Sequence, residues 1–294
     1  MIQAFYKPFS FFLCLFLAIA FFFNAVHADV PHVLVSVAPH KYFVEKIGKT
    51  TIEVQLMVPA GASAHTYEPT PKQMMVASKA KVWFRIGEPF ENRAIQALKS
   101  HHPELEIIDL RQGLDLISAD DGHVHCGCCH GSVDLHFWLS ARQAQIQAQT
   151  IADALGKAFP AHANFYQTNL LAFQEELKEL DEKIQKVLAR LQNRNILVSH
   201  PAYAYFCRDY NLKQHAIEVE GRDPLPQQMT RLLNLVRQLN LKTIYIQTQY
   251  NNKAAKLVAE TLGARLIMLD PYSEHYMMAM IDIATAFASQ ETHE

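Results

Sequence analysis

The chain has 294 residues and a formal net charge of −2; half of its residues are apolar and 19% are charged. This length and balance indicate a folded protein of about two ordinary domains and exclude a disordered chain. The near-neutral charge gives no support for nucleic acid or an anionic membrane as the main partner. Histidine stands out, because four of the 15 fall within 14 residues together with three of the five cysteines.

The first 28 residues have the pattern of a secretory signal peptide. Lys7 is the only charge before an almost unbroken apolar run at 9–23, and Val26-His27-Ala28 places small residues at a cleavage site. The run is shorter than the roughly 20 residues that span a bilayer as a helix, although an uncleaved anchor remains the alternative. We therefore expect cleavage after about Ala28 and a mature protein outside the cytoplasm.

After the leader, short β-rich runs alternate with helical segments, which favours an α/β fold with parallel sheets and helical crossovers. The predicted strands are 33–37, 51–58, 81–86, 106–110, 195–199, 215–219, 243–247 and 265–269. The predicted helices include 41–47, 71–80, 226–239, 253–262 and 276–288. The sequence contains no GxGxxG, P-loop, GxSxG or HExxH motif, so it shows none of these nucleotide-binding or hydrolase signatures.

The longest helical pattern lies between the two sets of strands. Apolar residues recur every three or four positions from Leu170 to Leu191, and charged residues cover the other faces. We therefore predict a first lobe at 29–160, a linking helix at 161–193 and a second lobe at 194–294. Each lobe is expected to be a parallel sheet flanked by helices, and the long helix is expected to be rigid.

Four residues are candidates for metal ligands because we expect them just past the carboxyl ends of strands, where parallel α/β sheets place their ligands. His65 lies in a loop after the strand that ends near Val58, and His200 directly follows the strand at 195–199. Asp270 follows the strand at 265–269, and His136 lies in the segment 133–140. Taken singly, each is also compatible with a loop residue bonded to the backbone.

The segments around these residues resemble one known family. Stretches 61–71, 134–139, 200–206 and 269–272, in this order and after a signal peptide, resemble the ZnuA/TroA/PsaA-type zinc and manganese receptors of ABC importers. The resemblance implies two lobes joined by a rigid helix, with one metal ion in the cleft between them. It also implies a monomeric periplasmic protein that delivers the ion to a membrane ABC permease and performs no chemistry.

By position, the resemblance implies that His65 and His136 bind the metal from the first lobe, and His200 and Asp270 from the second. Three imidazoles and one carboxylate suit tetrahedral Zn²⁺. Within the family, a carboxylate in place of His200 goes with manganese, so we expect Zn²⁺, with Mn²⁺ or Fe²⁺ as alternatives. Because the ligands must be unprotonated, affinity should fall steeply below about pH 6.

The segment 120–133 is rich in further metal ligands and in glycine. Zinc-type members of the resembled family often carry a mobile histidine-rich loop before the second ligand, so we interpret this segment as an auxiliary metal-collecting loop. A disulfide-bearing loop is the alternative, and Cys207 could pair with one of its cysteines or be a buried helix residue. The auxiliary candidates are His123, His125, Cys126, Cys128, Cys129 and His130.

Two other functions remain open at this point. A secreted zinc-dependent hydrolase would also bind zinc, but catalytic zinc usually has three protein ligands, an open position for water and a nearby base. Four protein ligands argue against it, and we expect no enzyme. A surface adhesin or metal buffer without a transporter is the second rival.

Overall fold

The computed structural model describes residues 30–118, 133–219 and 222–291. The predicted leader at 1–28 and residues 120–132 of the auxiliary loop lie outside the described residues. From Pro31 onward the chain forms one compact unit. Within the described ranges, no helix is both long and apolar enough to cross a membrane.

The chain builds two parallel four-stranded sheets, which confirms the α/β prediction. The first contains β1 (His32–Val35), β2 (Glu53–Leu56), β3 (Ala80–Arg85) and β4 (Glu106–Asp109), in the order β2-β1-β3-β4. The second contains β5 (Asn195–Val198), β6 (Lys213–Ala216), β7 (Thr243–Gln247) and β8 (Arg265–Leu269), in the order β6-β5-β7-β8. The prediction for β6 was displaced toward the carboxyl end, because apolar residues continue past the strand.

Along the chain, helices alternate with the strands, and two long helices separate the strands of the first sheet from those of the second. In chain order they are α1 (Ala38–Gly48), α2 (Pro71–Ala77), α3 (Pro89–His101), α4 (Ala141–Ala158), α5 (Ala163–Leu188), α6 (Ala204–Asp209), α7 (Pro226–Gln238), α8 (Lys253–Leu262) and α9 (Tyr276–Ala288). Helices α3 and α4 were not among the predicted helices. The buried face of α4 is made mostly of alanine and glutamine, so it carries little of the large-residue periodicity that marks a helix.

The long helix α5 occupies the predicted place but is shorter at both ends. Its stripe is buried as expected, including Leu170, Phe173, Leu177 and Ile184. It packs against α1, α4 and α9, so it contacts helices from both halves of the chain. The helix is therefore part of the shared core and not an isolated connector.

The buried apolar residues form two clusters of different size. The large cluster includes the first sheet, α4, α5, parts of β5 and α6, and the buried face of α9. The smaller cluster lies at the second sheet and involves nine buried residues, including Val236 of α7 and Val258 of α8. The second half is therefore joined to the main core on one side and has a thinner layer on the other.

The parallel strands bring several polar residues to the carboxyl ends of the two sheets. The prediction that all four candidate ligands follow strands was wrong for His136, which precedes a short 3-10 turn (Phe137–Leu139) leading into α4. Burial of that turn, and not a strand, places the imidazole. The residues that do follow strands are His65 after β2, Glu88 after β3, His200 after β5, Glu218 after β6, Tyr250 after β7 and Asp270 after β8.

Candidate metal centre

Three of the four predicted ligands meet in one cluster. The ring centroids of His65 and His136 are 5.2 Å apart, those of His65 and His200 5.4 Å, and those of His136 and His200 5.5 Å. Among the described residues, each of these three histidines offers one ring nitrogen, and the three nitrogens lie within 4.8 Å of one another. Imidazole nitrogens this close together can bind a single metal ion.

Each histidine has a carboxylate at its Nδ1 atom. Such carboxylates orient a metal-binding imidazole and favour the tautomer in which Nδ1 carries the proton. The Nε2 atom is then the nitrogen with which each ring would bind a metal. The three distances are 2.9 Å from His65 Nδ1 to Glu88 Oε1, 2.8 Å from His136 Nδ1 to Asp134 Oδ1, and 2.8 Å from His200 Nδ1 to Glu218 Oε2.

The carboxylate behind His65 is held by a second buried carboxylate. Glu88 precedes α3 and is fully buried, as is Glu91 one turn later. Glu91 accepts hydrogen bonds from the backbone N–H of Ile86 at 2.8 Å and of Gly87 at 2.7 Å. Gly87 has φ +104°, a conformation that favours glycine. The turn before Glu88 is therefore fixed by burial, backbone geometry and hydrogen bonds.

The His136 segment is held by residues from the second half of the chain. Tyr205 donates its hydroxyl to the carbonyl of Asp134 at 2.7 Å. Trp138 Nε1 donates to the carbonyl of Pro271 at 2.8 Å, and the Tyr276 hydroxyl donates to the carbonyl of Trp138 at 2.8 Å. These hydrogen bonds connect the segment that carries His136, which belongs to the first half, with the second half of the chain.

His200 is also fully buried, but its neighbours are more exposed. The side chain of Glu218 is 15% exposed, whereas Asp134 and Glu88 are at 0%. The imidazole stacks on Tyr250, with ring centroids 4.2 Å apart and planes 18° apart. His200 is therefore held in place by a partly solvated carboxylate and by a stacked aromatic ring.

Asp270, the predicted fourth ligand, is exposed and is not among the ligand atoms that lie within 4.8 Å of one another. Its Oδ1 accepts hydrogen bonds from Gln249 Nε2 at 2.8 Å and from the backbone N–H of Tyr272 at 3.0 Å. Its assignment as a ligand stays a prediction.

Burial and charge move the pKa values of the site in different directions. Burial opposes protonation of His65, but the carboxylates of Glu88, Asp134 and Glu218 together outweigh it and raise the pKa of His65 above 6.5. Burial, together with the other two histidines, holds the pKa of His200 well below 6.5. Burial and the charge of Asp223 raise the pKa of Glu218 to about 7. Proton uptake by His65 and His200 is thus unequal.

The supporting residues were not predicted from the sequence; they are Glu88, Asp134, Glu218 and Tyr250. Three of them follow strands, and Asp134 lies two residues before a candidate ligand, so their positions carried a weak signal. Their pairing with particular histidines did not, because two of the pairs are 23 and 18 residues apart in sequence. Cys207, the cysteine of the second half, is a free buried thiol in α6, and burial raises its pKa.

Comparison with known proteins agrees with the fold. Residues 33–290 match the family model described as ZnuA, the periplasmic component A of a zinc-uptake complex. The chain therefore belongs to the ZnuA family of periplasmic metal-binding solute receptors.

Individual relatives are similar over most of the chain. A protein of Chlamydia muridarum, whose name proposes metal binding, is 34% identical over 259 residues, which cover 87% of this chain and 90% of that protein. The high-affinity zinc uptake system protein ZnuA of Bacillus subtilis is 25% identical over 252 residues, covering 82% and 78%. A crystal structure of a ZnuA deletion mutant with zinc bound has a TM-score of 0.83 at 33% identity, covering 90% and 100%.

Proposed function

We propose that this protein captures Zn²⁺ between its two halves in the periplasm and, as a monomer, delivers it to a membrane ABC permease. The observation that carries the proposal is the buried cluster of three histidines, each with a carboxylate at Nδ1. Membership of the zinc-uptake family supports the same function. The exported location rests on the predicted signal peptide and on the periplasmic family.

We assign metal binding to His65 and His136 from the first half and to His200 and Asp270 from the second. Three imidazole nitrogens favour zinc over manganese, which prefers carboxylate and water oxygens. Iron is the second alternative, since two oxygens of Asp270 would expand the coordination. The rival hydrolase is not supported, because the nearest carboxylates each bond an imidazole and are engaged as supports, not as general bases.

Metal analysis of the protein purified from its native compartment tests this proposal. The wild type is expected to contain one zinc per chain at the histidine cluster, and His65→Ala is expected to lose it. His102→Ala is the matched control, because His102 bonds the carbonyl of Ala80 and lies outside the cluster. Equal zinc content in wild type and His65→Ala would rule out this site.

The pH dependence gives a second test. A proton and a metal ion compete for each imidazole, so affinity falls as the pH drops. Because the pKa of His65 is raised, protons begin to compete with the metal at a higher pH than for an ordinary imidazole. We therefore expect zinc affinity to start falling above about pH 6.5 and to fall steeply below about pH 6. Equal zinc affinities at about pH 5 and about pH 7.5 would contradict the assignment.

The auxiliary loop is proposed as a separate, weaker metal site. Its residues at 123–130 lie outside the described part of the chain, so the proposal rests on their composition. A variant with all six ligands of the loop replaced should bind less metal in total while keeping the zinc of the central site. An unchanged stoichiometry would mean that the loop holds no metal durably.

A further inference from the structure

A tyrosine from the second half lies against the histidine cluster and has no role in the ligand set above. Tyr250 lies in the short loop between β7 and α8. Strand β7 is the neighbour of β5, the strand that His200 follows. Its hydroxyl oxygen is 3.0 Å from Nε2 of His200, the nitrogen opposite the one that bonds Glu218. The hydroxyl therefore lies beside the atom with which His200 would bind a metal.

The geometry of this contact fits two donors to one ion. Two ligand atoms about 2.0 Å from one zinc ion lie about 3 Å apart, in four- or five-coordinate geometry, which agrees with the 3.0 Å observed. The two rings are also stacked, with centroids 4.2 Å apart and planes 18° apart, so the imidazole and the phenol hold each other in place.

The loop that carries Tyr250 is fixed on both sides. Asn252, with φ 53°, donates its side-chain amide to the carbonyls of Gln247 at 2.6 Å and of Tyr250 at 2.8 Å. Gln249 donates to Asp270 at 2.8 Å. The hydroxyl is thus placed by the protein before a metal arrives, which is what a metal-contacting group requires.

From these contacts we propose that Tyr250 is a metal-contacting residue, whose hydroxyl supplies an oxygen contact to the bound ion from the second half, beside Asp270. The inference rests on the proposed zinc site. Zinc accepts mixed nitrogen and oxygen ligands, so the additional oxygen is compatible with it. In the same arrangement Asp270 also positions Tyr250, through its hydrogen bond with Gln249.

The test compares Tyr250→Phe with the wild type by competition against a chromophoric zinc chelator at fixed pH. This change removes the hydroxyl and keeps the ring that stacks on His200. Tyr245→Phe is the control, because it removes a hydroxyl of the same half that bonds the carbonyl of Ala286 and not a histidine. We expect Tyr250→Phe to weaken zinc binding roughly tenfold to a hundredfold, and Tyr245→Phe to leave it within about twofold of wild type.

The visible spectrum of the Co²⁺-loaded protein gives an independent reading, since its bands report the donors around the ion. Tyr250→Phe should change that spectrum and Tyr245→Phe should not. An unchanged zinc affinity in Tyr250→Phe, a loss that Tyr245→Phe reproduces, or an unchanged Co²⁺ spectrum overturns the proposal. If the wild type itself binds no zinc, the proposed function fails; if the wild type binds and Tyr250→Phe binds equally, only this inference fails.

Discussion

The two halves of the molecule share one strand order but support their histidines differently. In the first half, the carboxylates behind His65 and His136 are fully buried. In the second half, Glu218 behind His200 is partly exposed, and the outer helices cover a small separate cluster. His65 and His136 are thus supported inside the large core, whereas His200 is supported beside a thinner one, and we expect the second half to open more easily than the first.

The largest test of this comparison concerns packing. Leu177 of α5 is fully buried, whereas Leu233 of α7 is only partly buried against the smaller cluster. The same change at both positions, leucine to alanine, should lower the free energy of unfolding by about 3 kcal/mol for Leu177 and by about 1 kcal/mol for Leu233. Urea denaturation measures both, and equal losses would remove the difference in core packing on which the comparison rests.

The second test concerns the carboxylates behind the ligands. Asp134→Asn removes a fully buried carboxylate beside His136, and Glu218→Gln removes a partly solvated one beside His200, whose pKa of about 7 leaves it only partly ionised at neutral pH. A buried charge is screened less, so zinc affinity should fall about a hundredfold for Asp134→Asn and about tenfold for Glu218→Gln. Chelator competition measures both constants. A larger effect at Glu218 would reverse the assignment of rigid and mobile halves.

A third test uses the pH dependence of stability. Burial lowers the pKa of His40 in α1 to about 4, although its bond to Gln147 opposes this. The unfolded chain takes up a proton near pH 6.5 and the folded chain does not, so this residue makes stability fall as the pH drops from about 6.5 to about 4. His40→Gln should reduce the loss of stability between pH 7 and pH 5 by about 2 kcal/mol.

The control for that test comes from the second half. Burial and Lys213 also lower the pKa of His215, but this residue is slightly exposed. His215→Gln should therefore flatten the same stability profile less than His40→Gln. The profiles come from denaturation at each pH, and an equal flattening by the two variants would argue against the proposed difference in burial.

The smallest expected effect is in hydrogen exchange. Val236 is the one buried residue of α7, whereas α4 has ten. Backbone amides of α7 should exchange before those of α4, because helices with few buried contacts open more easily. Exchange measured by mass spectrometry in zinc-free protein would show this order. Protection of α7 equal to that of α4 would weaken the view that the second half is the mobile one.

Much of the fold could be predicted because its signals are local. Short β-rich runs marked the eight strands, although β6 was placed too far toward the carboxyl end, and the stripe from Leu170 to Ile184 marked α5. The signal failed for α4, whose buried face is made of small and amide side chains. It also misplaced His136, because a buried 3-10 turn has no periodicity that a sequence can show.

The sequence by itself determined the α/β class, the approximate places of the eight strands and the long helix, because each depends on residue type at short spacing. The three histidines were singled out by their expected places at strand ends together with the family resemblance. The tertiary structure decided which carboxylate orients each histidine and placed Tyr250 beside His200. It also placed Asp270 in contact with Gln249 and Tyr272, outside the cluster of three histidines. These relations join strand ends that are far apart in sequence, and only the order of strands in each sheet brings them together.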